Sequence, residues 1–192
     1  MENLKSLIKD PIHSRSITIK TYRIDDNAMI VEGRLRDDRL TETYSMTKGE
    51  TMPVGVIHDM TIRLLVRDDK GMNIEKVEVE LTHVPRHDCK KVHDSLDGLA
   101  GLRIAPGFTG MVRKRFGGPN GCAHLNSLLL SMASAAVQGW WTNKAGSPDA
   151  LKKASVKLDR RFLIDTCMIW KKDGDLAKAA IRALEADNES GK

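Results

Sequence analysis

The chain has 192 residues, 41% of them apolar, and sets 31 Lys and Arg against 26 Asp and Glu for a net charge of +5. That balance excludes a disordered polyelectrolyte, and no apolar run approaches the roughly 18 residues a membrane span needs. The three Cys are an odd number in a chain with no apolar leader stretch, which argues against a disulfide-stapled secreted domain and for a cytoplasmic setting. The length fits a single domain over 1–192, large enough to hold a core without a staple. Basic residues come in short groups, such as Arg113-Lys114-Arg115 and Arg160-Arg161, with acids between them. Only 4% of residues are aromatic, so a phosphate-tracking stripe with stacking platforms is absent and nucleic acid is not the expected partner.

After an N-terminal arm (1–14), residues 15–84 read mainly as strands. Ile17 to Arg23 and Ala28 to Leu35 flank the turn-like Asp25-Asp26-Asn27 and predict an antiparallel hairpin. Arg36-Asp37-Asp38-Arg39 reads as a charged break, Arg39 to Met46 as a weaker strand, and Lys48 to Gly55 as a loop. Val56 to Val66 alternates, with His58, Met60, Ile62, Leu64 and Val66 on one face and Asp59, Thr61 and Arg63 on the other. Ile74 to Val84 pairs with it across Asp68-Asp69-Lys70-Gly71 and carries Val77, Val79, Leu81 and His83 on its apolar face. His58 and His83 are thus expected on the apolar faces of paired strands, near the same end of the hairpin. An imidazole there is either hydrogen-bonded within the core or a ligand or proton carrier.

Residues 85–186 read mainly as helices, ahead of a polar tail at 187–192. Asp88 is expected to cap a short helix carrying Cys89, Val92, Leu96 and Leu99. Thr109 is expected to cap a second one, Gly110 to Phe116, ending at Gly117-Gly118. The longest helical pattern, about Gly121 to Trp141, places Cys122, Leu125, Leu129, Met132, Ala136 and Trp140 at intervals of three and four. Ser147-Pro148-Asp149 starts another helix, with Leu151, Ala154, Leu158 and Phe162 as its buried stripe. Leu163 to Trp170, around Cys167, fits helix or strand, and a last helix follows Asp173-Gly174-Asp175. Strands first and helices later predict an α+β fold: an antiparallel sheet packed by C-terminal helices.

Chemistry is expected around the thiols. Cys122 opens a helix after a glycine-rich loop, where unpaired N–H groups and the dipole favour a thiolate. Cys89 has a similar setting, weakened by the neighbouring acid. His124 lies two residues beyond Cys122. The residues expected to carry a reaction are Cys122, His124, His58 and Asp59, in a pocket between the sheet and the long helix. Those expected to hold a metal are Cys89, Cys122, Cys167 and His58, a donor set suited to zinc, iron or an iron–sulfur cluster. One alternative is a metal-free enzyme acting on a small acyl or carbonyl substrate, with Cys122 as nucleophile or acid and His58 or His124 as base. The other is a non-catalytic module for a small ligand or partner protein. No Cys-x-x-Cys, P-loop, Gly-x-Gly-x-x-Gly or His-Glu-x-x-His is present.

Five segments carry a resemblance. They are Glu32-Gly33-Arg34-Leu35-Arg36-Asp37, Ile57-His58-Asp59-Met60, the run Gly101 to Phe108, Gly121-Cys122-Ala123-His124-Leu125, and Asp165-Thr166-Cys167. Together they resemble the bacterial family catalogued as domain of unknown function 2889, over about Arg15 to Gly174. That resemblance implies a domain and names no reaction. The order of Cys89, Cys122 and Cys167 is also similar, distantly, to iron–sulfur scaffold proteins of the IscU and NifU type, which implies a fold of the SufE and NifU kind. Lys90-Lys91 after Cys89 and Thr166 before Cys167 depart from that pattern.

Overall fold

The computed structural model describes residues 3–146 and 164–189. The strands are β1 (His13–Asp25), β2 (Ala28–Arg39), β3 (Thr43–Ser45), β4 (Glu50–Met52), β5 (Gly55–Asp68), β6 (Met72–His83) and β7 (Arg103–Ile104). Among the described residues the α-helices are α1 (Phe108–Phe116), α2 (Ala123–Lys144) and α3 (Asp175–Glu189). Five strands form one antiparallel sheet in the order β1-β2-β5-β6-β7, and β3 with β4 makes a separate small ladder. The fold is α+β, as the division of the sequence implies. No helix among the described residues is long and apolar enough to cross a membrane.

Alternation gives the sheet two unlike faces. Val31, Gly33 and Leu35 of β2 share a face with Met60, Ile62 and Leu64 of β5, since Leu35 pairs with Met60, Gly33 with Ile62 and Val31 with Leu64. These side chains are buried against Leu125, Leu128, Leu129, Met132 and Ala136 of α2. The opposite face is ionic: Arg63 donates to Glu32 at 2.7 Å and to Glu80 at 3.1 Å, and Arg67 donates to Glu75 at 2.7 Å.

Helix α2 runs the length of the apolar face. Its C-terminal end is fastened by Trp140, whose Nε1 donates to Asp68 at 3.0 Å, and by Lys144 and Asn143, which donate to the Asp26 and Asp25 carbonyls at 2.6 and 3.1 Å. In between, Gly33 lets the helix approach: a Cβ there would stand 2.6 Å from Met132 Sδ and 3.0 Å from Leu128 Cδ1. With its far end and middle fixed, the start of α2 is delivered to the other end of the face, over Asp37 and His58.

Several expectations are corrected. The charged run 36–39 does not break the strand, because β2 continues to Arg39 with Asp37 paired to His58. The weaker strand after Arg39 and the loop after Lys48 supply β3 and β4, which pair only with each other. His83 does not share the apolar face with His58. A bulge between Asp59 and Met60 puts His83 opposite Asp59, reversing its side, and it is exposed. The segment His87–Leu99 winds as 3-10 turns, and Asp88 pairs with Lys91 at 2.6 Å instead of capping it. Helix α1 is entered through Gly107, in the left-handed region at φ 93°, and not through Thr109. Cys122 occupies the N-cap position of α2, as its sequence setting implies. The segment begun by Ser147-Pro148-Asp149, with its stripe through Phe162, lies outside the described residues. Around Cys167 the chain makes a turn and a short 3-10 helix, Met168–Trp170.

Candidate metal centre

At one end of the apolar face the alternation delivers polar side chains in place of leucines and valines. Asp37 follows Val31, Gly33 and Leu35 at two-residue steps, and only 2% of it is exposed. His58 precedes Met60 on β5, paired with Asp37. Arg15 lies opposite Asp37 on β1. From above, the first turn of α2 brings His124, with Cys122 at the cap.

These side chains converge on one carboxylate. The His58 Nδ1 lies 3.0 Å from Asp37 Oδ2, and the His124 Nε2 lies 3.7 Å from the same oxygen. The two imidazole rings overlap, their centres 3.7 Å apart. Arg15 donates to both Asp37 oxygens, at 2.6 and 2.8 Å, and His13 reaches within 3.6 Å of Oδ1. Cys122 Sγ lies 3.7 Å from His124 Nδ1, on the side of that ring away from Asp37.

Protonation favours ligation. The Arg15 hydrogen bonds hold the Asp37 carboxyl below its usual range against the opposing effect of burial, and His58 adds to the shift. Burial pushes the His58 imidazole below its ordinary value despite the hydrogen bond to Asp37. Burial also lowers His124, and the neighbouring His58 and Arg15 charges lower it further. Near neutral pH the site therefore holds an ionised carboxylate and two neutral imidazoles, the forms that bind a metal.

Asp37, His58 and His124 can each offer one ligand atom with all three atoms within 4.8 Å of one another. Two bonds of about 2.1 Å meeting at 90–110° separate their ligand atoms by about 3.0–3.4 Å, and the two imidazole contacts of Asp37 Oδ2, at 3.0 and 3.7 Å, lie at and just above that range. Three protein ligands of this kind suit zinc or ferrous iron with open positions left for other ligands.

The structure brings His58, His124 and Cys122 to one place. It does not bring the other expected residues there. Asp59 is buried on the opposite face of the sheet, 4% exposed, where the Arg34 fork donates to it at 2.7 Å and holds its carboxyl low. Cys89 is half-buried in the 3-10 segment, and neither it, Cys122 nor Cys167 joins a metal-capable group among the described residues. Cys167 is exposed and lines a different, open cavity of about 1010 Å³, with Phe108, Leu130, Val137, Trp141 and Trp170. Asp37, Arg15 and His13 are the residues that sequence reasoning missed. The signal for Asp37 was the step-two series Val31, Gly33, Leu35, Asp37, which sets an acid on an apolar face.

The family described as "Protein of unknown function (DUF2889)" matches residues 13–138. The chain belongs to this family. The span that matches DUF2889 begins at His13 and holds Arg15, Asp37, His58, Cys122 and His124, whereas Cys167 falls outside it. No curated protein and no solved structure matches the chain.

Proposed function

We propose that the chain is a metal-binding domain whose centre is Asp37, His58 and His124, taking a divalent ion such as zinc or ferrous iron. The observation that carries this reading is the convergence of three ligand atoms from β2, β5 and α2 within 4.8 Å. The ionised state of Asp37 and the neutral state of both imidazoles support it. So does the location: a carboxylate and two histidines at the end of a face otherwise filled with aliphatic side chains are costly there unless paired or put to use. Chelator-stripped protein titrated with zinc is expected to bind close to one ion per chain. His58→Ala and His124→Ala should each weaken that binding by at least about a hundredfold, while Cys122→Ser keeps it. Zinc binding that survives both histidine substitutions, or none in the wild type, contradicts the reading.

A second reading is favoured by one specific geometry. His124 has Cys122 Sγ 3.7 Å from Nδ1 and Asp37 Oδ2 3.7 Å from Nε2, the order thiol, imidazole, carboxylate of an activated nucleophile. Such contacts are often long before substrate binds. In that case His124 takes the thiol proton, Cys122 Sγ adds to the carbonyl carbon as the C=O π bond opens to an oxyanion, and His124 returns the proton to the departing group of an acyl substrate or to the oxygen of a carbonyl, while Asp37 orients the ring. The rate of Cys122 alkylation at neutral pH decides it: His124→Ala should slow the reaction at least about tenfold if the imidazole activates the thiol. An unchanged rate contradicts it.

A further inference from the structure

Arg15 is the cation that a metal ion entering this centre meets. Its Nε donates to Asp37 Oδ1 and its Nη2 to Oδ2, the two-point planar grip that a guanidinium makes on a carboxylate. Oδ2 is also the oxygen that faces both imidazoles, at 3.0 and 3.7 Å. An ion shared by His58, His124 and Asp37 therefore takes the side of Oδ2 that now faces the imidazoles, and the Nε–Nη2 edge of Arg15 stays on the carboxylate.

The guanidinium is not sealed in the core. The Arg15 side chain is 39% exposed while Asp37 is 2% exposed, so the guanidinium lies between the buried carboxylate and solvent. His13, 47% exposed, adds a further nitrogen 3.6 Å from Oδ1. Three protein ligands leave one open position in a tetrahedral centre and three in an octahedral one. A divalent ion and Arg15 together carry three positive charges against the one negative charge of Asp37, since an imidazole that ligates a metal does so in its neutral form. The loaded centre has an unmatched positive charge, an open coordination position and a guanidinium edge, all at its solvent side.

Resting on the metal reading above, we infer that the loaded centre binds a small carboxylate, coordinated by the metal and gripped by Arg15, with His13 at its rim. A carboxylate is the group that Arg15 already holds in the unloaded protein, and the incoming one meets the N–H groups of Nη1 and Nη2 that Asp37 does not use. The binding is metal-dependent, because without the ion there is no coordination position and the Arg15 charge is already matched by Asp37. Linkage makes the effect reciprocal: the carboxylate tightens the metal by the factor that the metal tightens the carboxylate.

Cobalt(II) reports both events, since its visible bands follow its ligands. The full chain, stripped and reloaded with cobalt, is titrated with acetate, acetamide and inorganic phosphate at one ionic strength. Acetate is expected to shift the bands saturably and acetamide to leave them alone. Arg15→Gln should bind cobalt more tightly, because a neighbouring positive charge is removed, yet bind acetate about tenfold more weakly. Arg15→Lys, which keeps the charge without the fork, should fall between, and it carries the test if Arg15→Gln does not fold. Cobalt bands that ignore acetate overturn this inference and leave the metal reading standing. Equal acetate affinity in the wild type and the Arg15 variants removes Arg15 from it, and phosphate binding more tightly than acetate overturns the carboxylate assignment. No cobalt spectrum at all overturns both readings.

Discussion

At the residue scale the centre is governed by one buried carboxylate and the partners that compete for it. Asp37 is ionised because Arg15 grips it, and His58 and His124 are neutral because burial opposes their charge. Each shift lowers the folded value, so each contributes stability that is present above the unfolded value and lost as pH falls through the folded one. For the histidines that loss begins below about pH 6.5, and for Asp37 and Asp59 below about pH 3.9. Urea unfolding of the metal-free chain is therefore expected to show stability declining already as pH falls below about 6.5. The double variant His58→Gln, His124→Gln should flatten that part of the curve. A slope that persists in the double variant would place its origin elsewhere.

These residues were unequally legible in the sequence. His58 stood out because it interrupts an apolar alternation, and Cys122-His124 because they open a long helix. Asp37 sits in the charged run 36–39, which local composition reads as a break. Only its pairing with His58 makes it part of a strand, and pairing is a long-range fact that the local pattern does not contain. Arg15 and His13 come from β1, where exposed residues predominate and no local signal separates a ligand partner from a solvated side chain. Asp59, adjacent to His58, faces away from it, as strand alternation requires.

At the element scale the decisive object is α2. Its start carries Cys122 and His124, its end is held by Asp68 and the β1–β2 turn, and its middle lies close over Gly33. A one-carbon addition tests that approach. Gly33→Ala is expected to destabilise the protein by about 1–3 kcal/mol, because the new methyl meets Met132 and Leu128 in a filled core. The denaturant midpoint should fall with the slope unchanged, and an unshifted midpoint would show that the helix can lift without cost. The long helix and the β5–β6 pair were legible because their periods, 3.6 and 2, run over many residues. The bulge at Asp59–Met60 was not, since an inserted residue leaves composition unchanged and only reverses the side of His83. The segment around Cys167 was ambiguous by period, and it forms neither long helix nor strand.

At the scale of the whole molecule, one sheet separates two environments. Its outer face is a ladder of opposite charges, Glu32–Arg63–Glu80 and Arg67–Glu75 beside Arg34–Asp59, in which three arginines are paired locally. Its inner face is aliphatic until the last rung, where Asp37 and His58 meet the incoming helix. Among the described residues the three cysteines join no metal-capable group, and the donors that come together are nitrogen and oxygen. The ligand shell of the bound ion tests this most directly. X-ray absorption at the zinc edge of the loaded full chain should show nitrogen and oxygen neighbours at about 2.0–2.1 Å, with the outer-shell scattering of two imidazoles and no sulfur. A shell containing sulfur at about 2.3 Å would return the site to the cysteines and contradict the assignment to Asp37, His58 and His124.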